Sequence, residues 1–219
     1  MKILMYRLFL FLSIYALGFS LSAQSRLMPD GLRLGVDVYN AAASLWTSTS
    51  QYELSTDLAW GRWLLATDLG VVRIFEEGNL RYQNQGTYLR IGPELNLLHK
   101  QLGDEVLYIG IKYAFCNFTE QIQSENKLPL FGTVAVDTQN ELTANWLELN
   151  FGIKFRVWKA FYMGYTLRYM FAERYRGEQR FEPYKIPAVG KPQESNFDFA
   201  YYIYYRIPFK KSTPPITKP

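Results

Sequence analysis

An eight-stranded antiparallel up-and-down transmembrane β-barrel is the fold that this sequence predicts. Three observations predict it. The chain opens on a short apolar leader, its remainder alternates apolar and polar residues in eight separate runs, and the connections between those runs alternate short and long.

The leader comes first. Lys2 and Arg7 precede the 14-residue apolar stretch Leu8–Leu21, and the small pair Ser22 and Ala23 follows before Gln24. A permanent transmembrane helix needs about 20 apolar residues, so this stretch reads as a cleaved secretory signal peptide. The expected organisation is a signal peptide over residues 1–23, a barrel over 24–209, and a basic, Pro-rich periplasmic tail over 210–219. No later run has the length of a transmembrane helix.

The eight alternating runs are Gly31–Tyr39, Tyr52–Trp60, Trp63–Val72, Thr87–Leu97, Val106–Cys116, Trp146–Val157, Phe161–Ala172 and Phe197–Phe209. Most match the roughly 9–11 residues that a tilted strand needs to cross a bilayer. One face of each run is apolar, as in Leu107, Ile109, Ile111, Tyr113 and Phe115. The opposite face mixes charge with small residues. It carries Asp37, Glu53, Asp57, Asp68, Glu94, Glu148 and Asp198, and Arg33, Arg90, Lys112, Lys154, Arg156, Arg168 and Arg206, interleaved with Gly35, Gly70, Gly92, Gly110, Gly152 and Gly164. An eight-stranded barrel has an interior just wide enough to be filled by side chains. The bulky apolar set cannot fit there, whereas glycine suits a crowded interior. The polar face therefore predicts a lumen, and the apolar face predicts contact with lipid. In a soluble sandwich the glycines would lie on the solvent side and the leader would be unexplained.

The connections Gly61–Arg62, Leu98–Glu105 and Trp158–Ala160 are short, whereas Asn40–Gln51, Arg73–Gly86, Asn117–Asn145 and Glu173–Asn196 are long. Short periplasmic turns and long extracellular loops are the outer-membrane pattern, so both termini are expected in the periplasm. Trp60, Trp63 and Trp158 would then mark one interface, and Trp46 and Trp146 the other. Pro93, on a lipid-facing position, predicts a bulge because it lacks a ladder donor.

Composition narrows the chemistry. With one Cys and one His, the chain has no disulfide framework and no Cys/His metal site, and no motif calls for a cofactor. The net charge of +4 falls to +2 when Lys2 and Arg7 are removed, which gives no basis for nucleic-acid binding. Lipid-modifying enzymes of similar architecture use a His at the outer leaflet, but His99 falls in a predicted periplasmic turn. Cys116 reads as a small packing residue. The seven acids and seven bases of the predicted lumen are matched in number. They read as an ion-pair network that plugs the barrel, since a selective pore would show an excess of one sign. Phe209 ends the last run and reads as an assembly signal for insertion.

The runs GVDVYN (Gly35–Asn40), GTYLRIGPELNLL (Gly86–Leu98), NWLELNFGIK (Asn145–Lys154), IPAVGKP (Ile186–Pro192) and YYRIPFK (Tyr204–Lys210) together resemble a family of small outer-membrane barrels of Bacteroidota that carries only an unknown-function label. The resemblance implies a fold and a compartment and brings no catalytic residue. Some small barrels of such bacteria are accessory subunits of large assemblies. The expected role is therefore non-enzymatic: an accessory or scaffold subunit of an outer-membrane complex of the protein-insertion or secretion class, with outer-membrane lipid as its other partner. A free-standing barrel whose loops bind an external ligand, and a lipid-modifying enzyme, are the alternatives.

Overall fold

In the computed structural model, residues 28–78, 81–98, 105–128, 132–177, 182–192 and 196–209 are described. Eight antiparallel strands form one closed ring: β1 (Gly31–Asp37), β2 (Thr49–Trp60), β3 (Trp63–Glu77), β4 (Arg81–Asn96), β5 (Val106–Leu128), β6 (Gly132–Trp158), β7 (Phe161–Gly177) and β8 (Asn196–Pro208). Each strand pairs with its sequence neighbours. The ring closes where β1 pairs with β8, from Gly31↔Pro208 to Asp37↔Tyr202. We call the end where β1 begins and β8 finishes the near end, and the opposite end the far end. The leader, His99 and the tail from residue 210 onward lie outside the described residues.

Two of the near-end turns are tight. Gly61 and Arg62 alone join Trp60 to Trp63, with Gly61 at φ 58°, and Lys159 and Ala160 join Trp158 to Phe161. Trp63 and Trp158 are exposed at this rim. Between the two ends the alternation is regular. Inward positions are buried, while outward ones such as Leu69, Ile111, Phe151 and Leu167 are exposed, although they are apolar. A contiguous apolar exterior of this size is stable against lipid, which makes the ring a transmembrane barrel.

The far end departs from the expectation. The segments Arg73–Gly86 and Asn117–Asn145, expected as loops, are mostly strand. β5 and β6 pair without interruption from Val106↔Lys154 to Leu128↔Gly132, and β3 and β4 continue to Glu77↔Arg81. Beyond the lipid-facing belt the outward side turns polar (Arg73, Gln85, Thr119, Gln139), so the apolar-outward signal stops while the strands continue. The segment after β1 begins with a short helix, α1 (Val38–Ala43). Asp37 caps it, accepting from the Tyr39 and Asn40 amides at 3.0 and 3.2 Å and from the Asn40 side chain at 2.6 Å.

Pro93 produces no bulge. The β4–β5 register is the same at Ile91↔Tyr113 and at Glu94↔Gly110. A Cβ on the preceding Gly92 would lie 2.0 Å from the Ile111 carbonyl oxygen, so glycine lets the neighbouring backbone close in beside the proline. The register shifts are in β6–β7 instead, between Asn145 and Leu147 and between Arg156 and Trp158. The first inserts an extra residue on β7 and inverts its phase, turning Arg174 and Arg176 outward and Tyr175 inward.

Candidate functional site

Alternation along eight strands delivers the charged side chains to one axis, where they join in a single sequence. Starting near the terminal end, Arg33 meets Asp57 at 2.7 Å, and Asp57 meets Lys154 at 2.8 Å. Lys154 meets Glu94 at 3.1 Å, Glu94 meets Lys112 at 3.2 Å, and Lys112 meets Asp68 at 2.7 Å. Asp68 stands 3.8 Å from Arg168, which meets Glu53 at 2.6 Å. Glu53 also holds Arg90, which meets Glu148 at 2.7 Å. Five bases and five acids therefore alternate, with Asp198 as a branch 2.8 Å from Arg168. The sequence of contacts touches every strand of the barrel. Burying one isolated charge costs several kcal/mol or more, and strict alternation offsets that cost at every step.

Aromatic residues that the sequence reading left out complete the network. Glu53 accepts from the Tyr88 and Tyr202 hydroxyls, and the indole N–H of Trp146 donates to Glu148 at 2.7 Å. Lys154 sits 4.5 Å from the Tyr108 ring and 5.2 Å from the Tyr204 ring. These rings lie on glycines. A Cβ at Gly35 would be 2.3 Å from Tyr204, one at Gly70 2.2 Å from Tyr88, and one at Gly152 2.5 Å from the Tyr108 hydroxyl. The glycine column and the tyrosine column are thus one packing device, visible in the sequence only as two unrelated patterns.

Four of the expected lumen charges stand elsewhere or bind differently. Arg156 is exposed, because it lies at the near lip of β6 beside a register shift, where the wall ends. Asp37 is buried but serves as the helix cap. Asp198 is only partly enclosed. Arg206 is half-buried and donates to the Tyr162 hydroxyl at 3.3 Å. Trp146, expected at the outer interface, is instead fully enclosed, because it shares the inward phase of Glu148.

Apolar residues pack at both ends of the charged column. Leu64, Val106 and Tyr108 pack at the near end with Ala59. At the far end Val72, Ile74, Tyr82, Phe118, Leu142 and Met170 surround Ile186 and Val189, which belong to the connection between β7 and β8. That connection folds inward and is held in place by specific contacts. An Ile186↔Gly190 bridge shapes its turn. Asn84 donates to the Lys185 carbonyl at 2.7 Å, Glu120 accepts from the Tyr184 amide at 2.8 Å, and Lys185 pairs with Glu76. Gly86 leaves the space that Pro187 occupies, where a Cβ would be 3.0 Å from the proline ring. Burial pushes the Tyr82 hydroxyl far above its ordinary range, so it stays a donor to Glu120 at 2.9 Å. Cys116 packs in the same apolar layer. Phe209 is exposed at the near end, its amide bonded to the Asp30 carbonyl at 3.1 Å.

No curated protein matches the chain. Among solved structures, the crystal structure of Neisserial surface protein A is similar with a TM-score of 0.42 and 11% identity, over 82% of this chain and 96% of that one. Residues 12–212 match the profile of the family described as a domain of unknown function, DUF6048, and the chain belongs to that family.

Proposed function

We propose that this protein is a non-enzymatic barrel of the outer membrane, with both termini in the periplasm, that works as an accessory or scaffold subunit of a larger outer-membrane assembly. The observation that carries the reading is the filled lumen. Its charges pair with one another strand by strand, and apolar residues pack at both ends of the column. A lumen built in this way favours a role for the outer surfaces over one for the interior. Protein insertion or secretion is the class of assembly proposed.

The test is extraction from native membranes in mild detergent with a tag on the chain. Stoichiometric recovery of a large barrel supports the proposal. Recovery of the chain alone, with altered lipid A in a deletion strain, would replace it with a lipid-modifying role. A second reading is favoured by one observation: β3–β6 project beyond the lipid belt as a continuous sheet, which suits a free-standing receptor for an external ligand. Loss of surface binding on trimming the β5–β6 hairpin, with the assembly intact, would favour that reading.

A further inference from the structure

The exterior changes character along one row of paired residues that crosses six strands: Gln51, Val72, Gly86, Phe118, Leu142 and Gly177. On the outer side of this row lies an open cavity of about 1030 Å³. Its membrane-ward edge is apolar, formed by exposed Tyr52 and Val71. Its floor presents amide and hydroxyl side chains, among them Asn117 and Thr143. An arginine stands toward each side, Arg73 on β3 and Arg176 on β7. Both are exposed, and among the described residues neither has an acidic partner. Among the described lining residues Glu141 is the one acid.

We propose that this cavity binds the phosphate-bearing head group of a membrane lipid whose acyl chains lie along the apolar belt beneath it. The proposal rests on the lipid-facing reading of the barrel. The lining carries two bases and one acid, which complements an anionic ligand. Its place at the boundary of the apolar belt selects an amphiphile over a soluble anion, because a tail bound there stays in lipid while the head group meets the polar floor. Arg73 and Arg176 are four strand spacings apart, about 19 Å along the curved wall of the barrel. Two long, outward side chains at that separation suit a broad head group with a phosphate at each side better than one with a single phosphate. The inverted phase of β7 above its register shift is what turns Arg176 outward to complete the pair.

The test uses the full chain in nanodiscs of phosphatidylcholine doped with either a bisphosphorylated glucosamine lipid or phosphatidylglycerol, with retained lipid read by native mass spectrometry. Wild type should retain the bisphosphorylated lipid over phosphatidylcholine, with phosphatidylglycerol between them. Arg73→Gln with Arg176→Gln should lower that retention by roughly ten- to thirtyfold. Glu141→Gln should raise it, and Arg81→Gln, on the same outer face but outside the cavity, should leave it unchanged. Equal retention by the double variant would overturn the proposal. Displacement by inorganic phosphate would overturn the lipid source in favour of a free-anion site. A chain that inserts normally but shows no lipid preference refutes the head-group site alone, whereas failure to insert in any nanodisc refutes the membrane reading as well.

Discussion

The lower and upper halves of the strands use the same backbone alternation with opposite polarity. Below the row through Val72 and Phe118, charge points inward and apolar side chains outward, as with Lys112 and Ile111 on β5. Above it, Ile74, Tyr82, Ile186 and Val189 are inside beside the buried Asn84 and Glu120, and Arg73, Gln85, Thr119 and Gln139 are outside. One strand thus passes from an inverted protein to an ordinary one within a few residues. The difference shows that the surrounding medium, and not the strand, decides which face carries which residues. Pairing geometry is indifferent to that choice, so β5 and β6 keep one register across the boundary.

Substitutions can break this comparison, and the largest effect is expected below the row. Glu53→Ala removes the carboxylate that Arg90 and Arg168 share, leaving Arg90 with Glu148 and Arg168 with Asp198 in a buried column, and should cost about 3–5 kcal/mol, read as a loss of heat-resistant mobility on gels or as a lower urea midpoint in lipid. Above the row, Ile186→Ala empties a packed apolar site and should cost about 2–5 kcal/mol by the same measurement. Outside, the halves should diverge. Ile109→Arg places a charge against lipid and should cost about 2–4 kcal/mol, while Thr119→Arg on the same strand should change stability by less than about 0.5 kcal/mol. A similar penalty for both would mean that the lipid belt extends past the row. The smallest readout is electrical: wild type should give no steady conductance steps in a planar bilayer. Ohmic steps would show that the charged column is hydrated from end to end.

The lower half was legible in the sequence and the upper half was not, for the same physical reason. Apolar-outward alternation against polar, glycine-rich inward positions marks the lipid-crossing part of each strand, and all eight strands begin or end where that contrast does. Once the outward residues are Arg73, Gln85 and Thr119, the contrast reverses, and Arg73–Gly86 and Asn117–Asn145 read as loops although their pairing continues. The charged column was readable as a set of residues but not as an order, because Lys154 meets Asp57 and Glu94 across the lumen from distant strands. The inward fold of Ile186–Gly190 had no periodic signature at all. Its cue was the missing side chain at Gly86, which makes sense only with Pro187 beside it.

The pairing of β1 with β8 carries a consequence for timing. The first strand of the ring has only seven residues, and its outer edge is completed by the last strand of the ring, β8. No partial chain can close, so synthesis of the N-terminal strands commits nothing. Until the last strand arrives, β1 presents an open edge of unpaired amides and carbonyls to any other strand it meets. Closing a loop of nearly the whole chain is also the slowest kind of contact to form unaided. The molecule is therefore built to wait: an unfinished sheet keeps an open edge, and resistance to unfolding is gained all at once, when β1 and β8 meet.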